Sequence, residues 1–187
     1  MKKAILDAAA QLIQQYGLKK FTIDEIAAEL KISKKTIYRH YRSKDDIVRA
    51  YFEAAVSSDK SSVRAALAGN GEFIDKIHAI FYSRHCYRLT VPILSEAKRF
   101  YPESWAQVED LKRFKVDATR ELFRQGVDAG IFRSDISFGI LSKMLEEISD
   151  MFTDYDFLLE NRLTTREAID EALKIIFNGI LITKSAG

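Results

Sequence analysis

Between Lys31 and Lys44 the chain carries six cations, Lys31, Lys34, Lys35, Arg39, Arg42 and Lys44, and no carboxylate. Ser33, Thr36, Tyr38, His40 and Tyr41 lie among them and add hydrogen-bonding groups. This mixture suits a nucleic acid. Cations that neutralise phosphates release counterions, Lys and Arg donate to guanine edges, and Thr offers a methyl or a hydroxyl. The concentration is local. Residues 1–50 hold 11 Lys and Arg against 6 Asp and Glu, while the rest of the chain holds 18 against 21, so a net charge of +2 hides a basic N-terminal quarter.

Other chemistries find little support. No nucleophile elbow, phosphate-binding glycine loop or H-E-x-x-H pattern occurs, so no catalytic residue is expected and the chain does not read as an enzyme. His85 and Cys86 are adjacent, which keeps them off a common helix face, and no third ligand accompanies them; neither a metal site nor a cofactor is expected. Cys86 is the only cysteine, which excludes an internal disulfide and suits the cytoplasm. No apolar run approaches the roughly 20 residues that cross a bilayer, and Asp7 interrupts the apolar stretch that a secretory signal would need.

A charge run becomes an interface only when a frame presents it, and Phe21 to Tyr41, FTIDEIAAELKISKKTIYRHY, supplies one. Thr22 with Glu25 three residues on forms a capping box, and Ile23, Ile26, Ala27 and Leu30 supply a buried face. Lys31 and Ile32 turn the chain. Ser33 caps a third helix to about His40, with Ile37 and Tyr41 inward, Tyr38 at the edge, and Ser33, Lys34, Lys35, Thr36 and Arg39 outward. This is a helix-turn-helix whose outward residues cluster at the end of the helix that meets base edges in a major groove. The amides behind Ser33 offer a phosphate site.

A first helix, about Lys3 to Tyr16, precedes this pair and ends at Gly17. A fourth, capped by Ser43, runs from Lys44 to about Ser62. Lys44 is electrostatically misplaced at a helix N-terminus, which a nearby phosphate would correct. Beyond the Gly69–Gly71 break, helices are expected at about 72–89, stopping before Pro92, then at 93–100, 103–129, 137–155 and 166–182, with 153–162 irregular. The reading is all-α: a DNA-binding domain at 1–50, a linking helix continuing to about 62, and a helical ligand-binding and dimerisation domain at 63–187. The last helix repeats Ile169, Leu173, Ile176, Phe177 and Ile180 at helical spacing and is the expected dimer interface. Phe81, Tyr82, His85, Cys86, Trp105, Phe114, Met144, Ile148 and Phe152 are candidate lining for a ligand. With 12 Phe, 8 Tyr and 1 Trp in the chain, a hydrophobic or aromatic effector is favoured.

The segment AILDAAAQLIQQYGLKKFTIDEIAAELKISKKTIYRHYRSKDDIVRAYF resembles the TetR family of bacterial transcriptional regulators. The resemblance rests on YG followed by FT, on DEIA, on KTIYRHY and on SKDDI; GIFRSDI at 130–136 is similar to a phrase common in that family. It implies a homodimer that binds a palindromic operator in double-stranded DNA, usually as a repressor released by an effector. Activation, or binding without a ligand, is the alternative. By the same resemblance Lys34, Lys35, Thr36 and Arg39 would read bases, and Thr22, Tyr38, Tyr41 and Lys44 would touch phosphate, with His40 as a further donor.

Overall fold

Apolar residues recurring every three to four positions produce helices throughout the computed structural model, which describes residues 1–82, 86–151 and 155–180. In order they are α1 (Lys2–Lys20), α2 (Ile23–Leu30), α3 (Lys34–Tyr38), α4 (Lys44–Ala68), α5 (Phe73–Phe81), α6 (Val91–Phe100), α7 (Pro102–Asp128), α8 (Phe138–Met151), α9 (Tyr155–Glu160) and α10 (Thr165–Ile180). Among the described residues there is no β-strand, and no helix is long and apolar enough to cross a membrane.

The chain divides into two compact units. The first takes residues 1–64 and the described part of 83–112. Its core joins Ile5, Ala9 and Ile13 of α1 to Phe21, Ile26, Ile37, Ile47, Tyr51 and Phe52, and closes with Ile93 and Ala97 of α6 and Val108 of α7. The helix-turn-helix is thus packed against a segment that follows it only after a long interval of chain.

Helix boundaries depart from the sequence expectation where tertiary bonds or capping intervene. α4 runs six residues further than expected, because no breaker precedes Gly69. α5 ends at Phe81 and not near Leu89. Part of the difference lies in residues 86–90, whose backbone is captured from outside: Ser58 Oγ accepts from the Cys86 amide at 2.8 Å, and the Arg88 carbonyl accepts from Gln14 at 2.6 Å and from the Tyr51 hydroxyl. Pro92 opens α6 instead of closing α5, since its fixed φ and missing N–H suit a first helical turn.

The same segment places Tyr87 flat against Tyr51, centroids 5.3 Å apart, with its hydroxyl donating to Asp7 at 2.6 Å. Burial pushes the Tyr51 hydroxyl up from 10.0 to about 12, and Tyr87 is raised by burial and then by the Asp7 carboxylate. Above pH 10 the unfolded chain loses these protons while the folded chain keeps them, so stability falls as pH rises. The contribution is complete below pH 10.0 and is lost towards about 12. Thermal melts across that window should show a steep fall in Tm that Tyr51→Phe makes shallower; an equal slope in the variant would place the titration elsewhere.

The second unit takes residues 65–82 and the described part of 113–187. Phe132 is buried at its centre, stacked on Phe123 at 5.5 Å and meeting Phe73 edge-on at 5.9 Å. Arg133 ties the turn to the end of α10 by donating its amide to the Ile180 carbonyl at 2.8 Å. A smaller cluster gathers Ile148, Phe157, Leu163 and Ile169 around Leu158, Ala168 and Ala172. The stretch expected to be irregular contains α9, ended by Arg162 in the left-handed region with φ +54. Thr164 and Glu167 form a reciprocal cap at the head of α10.

Candidate nucleic-acid interface

The interface is built on short helices whose ends are locked. The capping box at α2 is present: the Thr22 hydroxyl accepts from the Glu25 amide at 3.2 Å, and the Glu25 carboxylate accepts from the Thr22 amide at 2.7 Å and hydroxyl at 2.9 Å. α2 ends without glycine. Lys31 takes φ +54, its amide donates to Ala28 at 3.2 Å, and Ile32 donates to Ala27 at 3.0 Å. This paired closure satisfies the last carbonyls and swings Ile32 onto the core.

α3 starts at Ser33, whose hydroxyl accepts from the Thr36 amide at 3.1 Å and lies 3.0 Å from Thr36 Oγ1. Ile37 is fully buried and anchors the helix from below. Lys34, Lys35, Tyr38 and Arg39 are exposed, and Thr36 is half-buried. The Lys34 ammonium is drawn to Asp24 of α2 at 2.6 Å, and that hydrogen bond and charge raise its pKa. Among the described residues Lys35 and Arg39 form no ion pair. Of the four expected base readers Lys34, Lys35 and Thr36 therefore stand on one short helix and Arg39 caps its C-terminal end, but only Lys35 and Arg39 present uncommitted charge.

The expected phosphate contacts divide more sharply. Thr22, Ser33 and Tyr38 are exposed, although the Thr22 hydroxyl is engaged by Glu25. His40 is half-buried. Tyr41 is only 5% exposed, and its hydroxyl donates inward to the Lys2 carbonyl at 3.3 Å. Burial, and then Asp7 and Glu53, raise its pKa. A side chain so placed closes the core between α1 and α3 and does not present its hydroxyl outward. Lys44 folds back: its Nζ donates to the Lys19 carbonyl at 2.6 Å and sits 4.4 Å above the Phe21 ring. The misfit of a cation at the head of α4 is thus relieved within the chain. Asp46 completes the cap by accepting from the Arg42 amide at 2.9 Å while its own amide donates to Ser43 at 3.1 Å.

The ligand candidates divide between the two units. Cys86 and Trp105 belong to the first unit; Phe81, Tyr82, Phe114, Met144 and Ile148 belong to the second; His85 and Phe152 lie outside the described residues. Trp105 lies beneath Lys98 and Lys112, and the Tyr82 hydroxyl is engaged by Asp170 at 2.5 Å and the Arg166 carbonyl at 3.1 Å. Of the expected dimer residues, Leu173, Ile176, Phe177 and Ile180 are buried in their own chain and Ile169 is half-buried. The helical stripe marks the face turned to the chain's own core. Outward apolar residues are Ile175 on α10, 73% exposed, with Ile140 and Met144 on α8. No group of three or more His, Cys, Asp or Glu among the described residues could hold a metal ion.

Comparison with known proteins agrees with this geometry. Residues 5–51 match the profile of bacterial regulatory proteins of the tetR family. The HTH-type transcriptional regulator YvaF of Bacillus subtilis is 24% identical over 189 residues, spanning 100% of this chain and 98% of its own. The HTH-type transcriptional repressor KstR2 of Mycobacterium tuberculosis is 19% identical over 94% of this chain and 90% of its own. Its solved structure aligns with a TM-score of 0.64 over 97% and 95% of the two chains. A protein from Saccharomonospora viridis, solved in complex with choline, aligns at a TM-score of 0.78 and 19% identity over 97% of both chains. At such identities the solved structures carry the fold alone.

Proposed function

We propose that this chain is a TetR-family DNA-binding transcriptional regulator and not an enzyme, a homodimeric repressor of a palindromic operator that is released by a small molecule. The observation that carries the reading is α3, anchored by buried Ile37 and presenting Lys35 and Tyr38 outward, with Arg39 exposed at its C-cap. A single helix of this length covers few base pairs, so specificity needs two copies about 34–36 Å apart on one face of the duplex. DNA binding is assigned to residues 1–50, the link to α4, and pairing and regulation to the helices that follow. Pairing draws on α8 and α10, where Ile140, Met144 and Ile175 are apolar and outward. KstR2, named a repressor, supports the direction of control, and the choline complex supports a small-molecule effector. A hydrophobic or aromatic effector remains the reading for this chain, and a cytoplasmic location accords with its lone cysteine.

Selection of bound sequences from random duplexes, at low and moderate salt, tests this. A palindromic motif with half-sites about one turn apart is expected. Motif-free binding that disappears with salt would reduce the site to an electrostatic patch. Thermal shifts with aromatic, lipid-like and cationic compounds then test release, and no shift with any of them would speak for ligand-independent binding.

A further inference from the structure

We propose that Glu96, on α6, is a positioning residue for DNA binding: it fixes the Leu18–Lys19 turn, and the Lys19 carbonyl on that turn aims the Lys44 ammonium at a phosphate. The inference rests on the DNA-binding reading above. It begins at Gly17, which interrupts α1 with φ +84 and ψ 176, a conformation essentially confined to glycine. The interruption leaves the amides of Leu18 and Lys19 at the start of a new turn, where helical acceptors are missing. Glu96 Oε2 accepts both, at 2.7 and 3.2 Å, across 78 and 77 positions of sequence. The carbonyl of that same Lys19 accepts from Lys44 Nζ at 2.6 Å.

Lys44 is thereby held at two points, by the Lys19 carbonyl and by the face of Phe21, which is fully buried beside Thr22. An ammonium has three donors, so two remain for a phosphate. Burial disfavours the Lys44 charge; Asp45, Glu96 and Glu25 favour it, and Lys19 opposes it. A lysine stem is flexible, and holding its head in place before DNA arrives removes an ordering cost from binding. Gly17 serves the device twice. It supplies the backbone turn, and it leaves room for the carboxylate, since a Cβ there would lie 2.8 Å from Glu96 Oε1.

The experiment is a double-mutant cycle on the full chain, with fluorescence anisotropy on a duplex of about 30 random base pairs over a range of salt, because phosphate contacts are independent of sequence. Lys44→Ala should reduce the slope of log K against log salt by about one per subunit. Glu96→Ala should reproduce that reduction, Glu96→Gln, which keeps an acceptor oxygen, should retain most of the wild-type slope, and Glu96→Ala on the Lys44→Ala background should cause no further loss. Glu96→Leu keeps the stem volume and takes the place of the alanine variant if that one fails to fold. Independent, additive losses would overturn the proposal, as would a Glu96→Ala protein that melts earlier yet keeps the wild-type slope. A Lys44→Ala protein with unchanged slope also overturns it, whereas a wild-type chain that binds no duplex defeats the underlying DNA-binding reading.

Discussion

Gly126→Ala should lower the stability of the chain by about 2 kcal/mol, because an overpacking cost of about 3 kcal/mol, at the upper end of the usual range, exceeds the gain in helix propensity. The added Cβ would stand 2.2 Å from Phe132 Cδ2 and 2.3 Å from Cε2. The ring has nowhere to go. It is 1% exposed, with Phe123 stacked on it and Phe73 at its edge. The backbone is held as well: the Gly126 carbonyl accepts from the Ile131 amide at 2.9 Å and the Phe132 amide at 3.1 Å, and Gly130 turns the chain with φ +70. Alanine's better helix propensity returns only about 1 kcal/mol, so the net effect stays destabilising. For a chain of this length the expected fall in Tm is about 4–8 °C. Gly179→Ala is the control, because a Cβ there meets nothing within 4 Å. An unchanged Tm for Gly126→Ala would mean that Phe132 repacks.

Replacement of Lys35 or Arg39 by alanine should change which duplexes are retained, while replacement of Lys44 should weaken binding to all of them alike. Lys35 is exposed on α3 and Arg39 is exposed at its C-cap, whereas Lys44 stands at the head of α4. A lost base contact costs about 1–3 kcal/mol of discrimination, or roughly 5- to 150-fold at the affected position. Thr36→Ala should act more mildly, since its hydroxyl is shared with Ser33 at 3.0 Å. Lys34 must leave Asp24 to reach DNA, and an exposed pair of this kind yields readily to a phosphate. Selections repeated on each variant decide the matter. A motif identical to wild type for both the Lys35 and Arg39 variants would remove α3 from base reading.

Much of this was legible in the chain. The Thr22–Glu25 box, the Ser33 cap and the stripe of Ile26, Leu30 and Ile37 are local signals, and local hydrogen bonds and helical periodicity realise them directly. Other features were not legible, because they depend on who the neighbour is. Tyr41 reads equally as a core residue and as a phosphate donor until its hydroxyl is seen on the Lys2 carbonyl. Pro92 reads as a stop until residues 86–90 are seen captured by Gln14, Tyr51 and Ser58. The stripe on α10 identifies a buried face without saying which molecule buries it, and in the folded chain its own core does so.

The amino-acid order by itself determined where most helices start, which face of each is apolar, and that the cations gather on a helix-turn-helix, since these follow from spacings of three and four residues. Tertiary structure alone decided which of those cations are uncommitted and what holds the rest. Lys34 answers to Asp24, ten residues back, and Lys44 to the carbonyl of Lys19, a residue whose own amide answers to Glu96 on a distant helix. Charge and hydrogen bonding act over a few ångströms of space regardless of separation along the chain, and only the fold sets that distance.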